Sequence, residues 1–266
     1  MSIAKGTALI TGASTGLGAV YADRLAKRGH GLVLVARDAA RMGALAERLR
    51  AETGVAIEII PADLTAEADV AKVEARLAKG DIGILINNAG MSLDGSVLEN
   101  GPAEIARIVT LNIATPTRLA AAAAKAFVAQ GEGAIVNIAS VLALAPEMFD
   151  GIYSGTKAHL LNLSQAMSAQ LADKGVYTQA VLPGATRTEI WERSGKDVDA
   201  FPEGFVMEAG DLVDAALLGF DRRETVTIPP LPDMGQFDAM QQARAAMGPN
   251  LSKSKVAERY REAVAA

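Results

Sequence analysis

The sequence predicts an α/β fold: a doubly wound parallel sheet with helices on both faces, a single three-layer α/β/α domain over residues 1–266. Three observations predict it. Short apolar runs at 32–36, 56–60, 82–86, 134–138 and 177–182 alternate with longer Ala/Leu/charge patterns of helical period, the rhythm of βαβ units. The runs are mostly apolar on both faces, so helices must cover both sides of the sheet. A glycine turn follows the first apolar run and opens a helix, where a first βα unit belongs.

Taken in order, Thr-Ala-Leu-Ile at 7–10 reads as a strand, Thr11-Gly12-Ala13-Ser14-Thr15-Gly16-Leu17-Gly18 as the turn, and 20–25 as helix. Such a turn is either a tight connection or a phosphate cradle. Glycine lets backbone approach a ligand, and the helix start offers free N–H groups and about half a positive charge. The second strand ends at Ala36-Arg37-Asp38, with a helix from Ala39; strand 56–60 precedes Asp63-Leu64 and a helix from near Ala66. Strand 82–86 leads into Asn87-Asn88-Ala89-Gly90, strand 134–138 into Ala139-Ser140, and 177–182 into Pro183-Gly184. The run 225–228 ends at Pro229-Pro230-Leu231-Pro232, which stops a sheet edge by removing donors. A C-terminal helical extension, 233–266, carries two helical stretches at 234–247 and 252–265. Ligands in such sheets bind beyond the carboxyl ends of the strands, where these motifs fall.

Composition narrows the partners. With 50% hydrophobic and 21% charged residues, the chain has material for a large core. A net charge of −5 without a basic stripe argues against nucleic acid and for small molecules. No Cys and two distant histidines, His30 and His159, argue against disulfides, thiolate chemistry and a metal mechanism. No secretory stretch precedes the first strand, and 119–128 is broken by Lys125 and too short to span a bilayer, so no membrane attachment and a cytoplasmic location are expected.

Tyr153 and Lys157 stand four apart before a helical stretch at 158–171, which puts phenol and ammonium on one face. That spacing also occurs on solvated helix faces. As chemistry, it brings a cation to a tyrosine whose free pKa near ~10 must fall by roughly three units, about 4 kcal/mol, to exchange protons at neutral pH.

Taken together, the Thr-Gly-x-x-x-Gly-x-Gly turn, Asn87-Asn88-Ala89-Gly90, Asn112 in Leu111-Asn112-Ile113, Ser140, Tyr153-x-x-x-Lys157 and Pro183-Gly184 resemble the short-chain dehydrogenase/reductases in their compact form, over residues 7–188. The resemblance implies a Rossmann-like fold and an NAD(P)-dependent oxidoreductase that interconverts a ketone or aldehyde and its alcohol by hydride transfer. It implies that Ser140 holds the substrate oxygen, Tyr153 moves the proton, Lys157 tunes the tyrosine and binds the nicotinamide ribose, and Asn112 supports a proton-relay water. A new alkoxide needs a hydrogen-bond donor and a proton source, which Ser140 and Tyr153 can supply. Gly12, Ser14, Thr15, Gly16, Leu17, Gly18, Asn88, Ala89 and Gly90 are similar to the family's cofactor-binding residues.

Cofactor choice belongs to the tip of the second strand. Ala36 replaces the acidic residue that would bind the ribose and repel a 2′-phosphate, and Arg37 can pair with that phosphate, so NADP(H) is expected over NAD(H). Thr15 is not basic, so the preference rests on Arg37 alone. Asp38 either takes the ribose role or caps the helix at Ala39. Asp63, with Leu64, resembles the family's residue beside the adenine, or else caps the helix near Ala66. Pro183, Gly184, Thr186 and Thr188 complete the expected cofactor contacts; Thr186 stands where the family has Val.

Residues 185–210 form an expected substrate lid. Leu142, Met148, Ile190, Trp191 and Phe205 with Ser140 make the expected pocket, joined by Val141, Phe149, Phe201 and Met207, and they favour an apolar or aromatic substrate. They also fit ordinary core contacts. The resemblance implies a homodimer or homotetramer formed through the helices holding Asn112 and Tyr153, with alanines at 120–124 permitting close approach and His159 packed at the contact. A non-catalytic NADP(H)-binding regulator and a sugar-nucleotide epimerase or dehydratase are the competing readings; the intact Ser140, Tyr153 and Lys157 argue against the first, and the glycine spacing and chain length against the second.

Overall fold

The computed structural model describes residues 6–261 except Ser96 and Lys196. It falls into two compact units, Met1–Pro230 and Leu231–Ala266.

The first unit runs β1 Thr7–Thr11, α1 Gly16–Lys27, β2 Leu32–Ala36, α2 Ala39–Thr53, β3 Ile57–Pro61, α3 Glu67–Leu77 and β4 Ile82–Asn87. It continues through α4 Pro102–Val109, a π turn Thr110–Ala114, α5 Thr115–Gln130, β5 Gly133–Ile138, α6 Gly151–Leu171 and β6 Val176–Val181. It closes with β7 Thr186–Arg187, α7 Ile190–Arg193, β8 Met207–Glu208, α8 Ala209–Asp221 and β9 Val226–Thr227. Seven strands form one parallel sheet in the order β3-β2-β1-β4-β5-β6-β9. The chain winds outward one way from β1 and the other way from β4, so the connections leaving their carboxyl ends diverge and open a crevice.

Successive strand residues point to opposite faces, and both faces are packed. Ile10, Leu34 and Ile86 meet Leu25 of α1, Met42 of α2 and Phe220 of α8 in one core. Leu9, Val33 and Leu85 meet Leu77 of α3 and Phe127 of α5 in the other. That double burial is why the runs lack polar alternation.

Within the expected lid, 185–210, β7 and β8 pair in parallel, Thr186 with Met207. Two expectations change. Ala120 and Ala123 are fully buried in the chain's own core, so the stretch 120–124 does not present a continuous alanine surface. In the second unit, α9 Gly235–Ala246 matches the first expected tail helix, but the stretch from 252 holds a single 3₁₀ turn, Glu258–Tyr260, and residues 262–265 lie outside the described chain. Among the described residues no helix is long and apolar enough to cross a membrane, and no group of three or more His, Asp or Glu is placed to hold a metal ion.

Candidate active site

One cavity of about 820 Å³ lies beyond the carboxyl ends of the strands and gathers nearly all the residues singled out in the sequence. Ser14, Thr15, Gly16 and Leu17 line it beside Gly12, whose φ of +68° suits glycine. A Cβ on Gly12 would come within 2.8 Å of Asn88 Nδ2, and one on Gly18 within 2.3 Å of the Gly12 carbonyl. Gly18 does not line the cavity; it lets α1 pack under the turn. Thr11, the first residue of the turn, stitches the crevice: its Oγ1 accepts from the Asn88 and Ala89 amides at 3.0 Å each, while Asn88 Nδ2 donates to the Thr11 carbonyl at 2.9 Å. Ala89 and Gly90 follow on the cavity wall.

At the far end of the cleft stand Ala36, Arg37, Asp38, Asp63 and Leu64. Asp38 caps α2, accepting from the Arg41 amide at 2.9 Å. Asp63 does not cap α3, whose N-cap is Ala66. It accepts from the Thr65 amide at 2.9 Å and the Thr65 hydroxyl at 2.7 Å, and these bonds, with the Arg37 and Arg107 charges, hold its carboxyl below the usual range. Arg41 and Arg107 also line the cavity and were missed, because a helical arginine carries no local mark of facing a cleft.

Ser140, Tyr153 and Lys157 meet at the other end. Asp150, another missed residue, caps α6 by accepting from the Ile152 and Tyr153 amides at 3.0 Å each, which fixes the turn carrying the phenol. Ser140 Oγ donates to the Pro183 carbonyl at 3.4 Å and accepts from the Leu142 amide at 3.2 Å. Lys157 Nζ donates to the Ile138 carbonyl at 2.8 Å and lies 5.6 Å from the Tyr153 ring centroid. Burial pushes the Tyr153 phenol up to about 12, a hydrogen bond with Ser140 pulling the other way. Burial lowers Lys157 to about 8. The shift of Tyr153 therefore runs opposite to the expected lowering by Lys157: desolvation of the phenolate outweighs the hydrogen bond with Ser140.

Asn112 sits in the π turn, buried and off the cavity lining, donating to the Met91 carbonyl at 2.8 Å and Thr156 Oγ1 at 3.1 Å and accepting from the Met91 amide at 2.9 Å. Its amide holds the loop after Gly90 against α6. Nothing in the local sequence announces the π turn that swings it inward.

Pro183, Gly184, Thr186 and Thr188 line the same cavity as Leu142, Met148, Ile190, Trp191 and Phe205. Thr186 is turned into its own loop, its hydroxyl donating to the Gly184 carbonyl at 3.0 Å and its carbonyl accepting from Trp191 Nε1 at 2.7 Å. From Tyr153 outward the rings touch in series: Phe149 lies edge-on at 6.0 Å, Trp191 at 6.4 Å from Phe149, Phe201 at 5.0 Å from Trp191, and Phe205 stacks on Phe201 at 5.3 Å. Arg187 points outward and pairs with Asp199 at 2.7 Å and Glu208 at 3.0 Å.

The chain is similar to known proteins. The model of the family described as short chain dehydrogenase matches residues 6–199. Among curated proteins, human 17-beta-hydroxysteroid dehydrogenase type 3 is 35% identical over 69% of this chain and 60% of its own. Bovine very-long-chain 3-oxoacyl-CoA reductase is 32% identical over 76% and 66%. The chain thus spans about two thirds or less of the length of these relatives. Among solved structures, a short-chain dehydrogenase from Sphingobium yanoikuyae in complex with NADPH is 56% identical over 96% of this chain and all of its own, with a TM-score of 0.94. The bulky-bulky ketone specific alcohol dehydrogenase from Comamonas testosteroni is 51% identical over 96% and 98%, with a TM-score of 0.89.

Proposed function

The chain belongs to the short-chain dehydrogenase/reductase family, and on that premise we propose that it is an NADP(H)-preferring oxidoreductase interconverting ketones that carry bulky apolar or aromatic groups with their alcohols. The observation that carries the substrate side is the aromatic series running from Tyr153 through Phe149, Trp191 and Phe201 to Phe205. Rings in edge and stacked contact make a wall that flat or bulky apolar groups cover well and charged ones do not. The Comamonas relative's specificity for bulky-bulky ketones agrees with it. Residues 185–210, which supply Trp191 and Phe201, act as the lid of this wall.

The residues present fit a dinucleotide. Gly12 leaves a cradle that a Cβ would fill, the α1 N-terminus opens on it, and Ala36 and Arg37 line the same cavity with the small side chain and the cation that a 2′-phosphate would need. Bound there, the nicotinamide ring supplies or takes up the hydride. Ser140 orients the substrate oxygen, and the Tyr153 hydroxyl gives that oxygen its proton on reduction and recovers it on oxidation. Lys157 would hold the cofactor ribose, and its positive charge would favour the phenolate form. Asn112 is a positioning residue that holds the Gly90–Met91 backbone. Assembly as a homodimer or homotetramer through the helical segments that carry Asn112 and Tyr153 belongs to the same reading.

The test is oxidation of NADPH and NADH, side by side, against aliphatic, aromatic and steroid-like ketones, with Tyr153→Phe as the blank. Turnover with NADPH and bulky ketones that vanishes in the variant is expected. Tight cofactor binding without turnover of any carbonyl or alcohol would make the protein a dinucleotide-binding regulator instead.

A further inference from the structure

The lid sends a carboxylate to the glycine turn. Glu189, the residue before α7, lines the cavity with Gly16, Thr188 and Ile190. A Cβ on Gly16, the first residue of α1, would come within 3.5 Å of Glu189 Oε2 and 3.3 Å of the Thr188 side chain. The other oxygen, Oε1, lies 3.8 Å from the Arg41 guanidinium, with 38% of the Glu189 side chain exposed.

This carboxylate is not spent on its own helix. Glu189 stands at the N-cap position of α7 without a side-chain capping bond. Nor does α1 supply its own anion, since its first turn holds no acidic residue. The positive end of α1 attracts negative charge, and the carboxylate set beside Gly16 comes from the distant lid. A dinucleotide's pyrophosphate is drawn to the same helix end. Two anions at one cradle repel, and an exposed pair with Arg41 at 3.8 Å is weak enough to give way. Glu189 is followed directly by Ile190 and Trp191, so moving its carboxylate pulls on the start of the substrate wall.

We propose that Glu189 is a positioning residue that competes with the pyrophosphate for the amino end of α1, and that its displacement by the dinucleotide shifts Ile190 and Trp191. The proposal rests on the dinucleotide reading above, and only on the part that NADP(H) and NAD(H) share. The effect is therefore the same for both cofactors, whatever Arg37 does with a 2′-phosphate.

Trp191 is the single tryptophan of the chain, so its emission reports on the wall directly. The experiment is calorimetric titration of the whole chain with NADP+, NAD+ and ADP at low and high salt, with Trp191 emission read in parallel, for wild type, Glu189→Gln and Glu189→Ala. ADP carries the diphosphate without a nicotinamide to touch the ring. Thermal unfolding checks that each variant is folded. Both variants are expected to bind all three ligands about twofold to tenfold more tightly than wild type at low salt, with the gain shrinking at high salt. ADP should shift the emission of wild type and leave that of the variants nearly unchanged. Variants that match wild type in affinity and emission overturn the proposal and leave the dinucleotide reading standing. Variants that bind more weakly overturn it too, since Glu189 would then help to hold the cofactor, and a gain of equal size at high salt overturns the competition of charges. A wild type that binds neither NADP+ nor NAD+ overturns the dinucleotide reading itself.

Discussion

The indole N–H of Trp191 donates to the carbonyl of Thr186 at 2.7 Å, tying the ring at the centre of the aromatic series to the loop that carries Thr186 and Thr188. The proposed substrate wall and the expected nicotinamide loop are therefore tied together. Trp191→Phe keeps an aromatic surface and removes the tie, leaving that carbonyl only the longer 3.4 Å bond from the Thr188 hydroxyl, at a cost of about 1 kcal/mol. Steady-state kinetics should show kcat/KM falling roughly tenfold or more for bulky aryl ketones and much less for small aliphatic ones. Equal losses on both classes would mean that the ring does not sort substrates.

Lys157 sets a pH dependence of stability. Its folded pKa is lowered by burial to about 8, from an ordinary value of 10.5, so the unfolded chain holds more protons between those values. Its contribution therefore rises with pH across that window, by up to about 3 kcal/mol, and is least favourable below pH ~8. Tyr153, raised by burial to about 12, works in the opposite sense: the unfolded phenol ionises first, so stability falls from about 10 to 12. Denaturant unfolding of wild type and Lys157→Met from pH 7 to 10.5 should show the difference between them narrowing or reversing in favour of wild type as pH rises. A constant difference would contradict the shift.

Gly18→Ala would put a methyl 2.3 Å from the Gly12 carbonyl and 2.6 Å from Asn88 Nδ2. The turn must give way, at about 1–3 kcal/mol of stability. Thermal melting should report that loss, and NADPH titration should show weaker binding even though Gly18 itself is off the cavity wall.

Asn112→Ala removes both partners of Met91's backbone at once, the 2.8 Å donor and the 2.9 Å acceptor. A stability loss of about 1–3 kcal/mol and a lower kcat are expected. Asn112→Asp keeps the acceptor for the Met91 amide but turns the donor into a second acceptor facing the Met91 carbonyl, so it should not rescue. If Asn112→Asp restores both stability and kcat, the donor role assigned to Asn112 is wrong.

The βα order, the glycine turn and the spacing of Tyr153 to Lys157 were determined by the sequence, because each depends on neighbours within a few residues: a strand's apolar run, a helix start, a separation of one helical turn. Asp38 as a cap was legible for the same reason. What only the tertiary structure decided depends on residues far apart in the chain. The π turn brings Asn112 to the Met91 backbone and to Thr156. Burial raises the Tyr153 phenol although a lysine stands four residues on, because desolvation is set by everything packed around the ring. Arg41 is read as an ordinary helix arginine until α2, the glycine turn and the loop holding Glu189 are folded around one cavity. Local pattern specifies elements, and a site's electrostatics and its unmarked members exist only once distant segments share the same low-dielectric space.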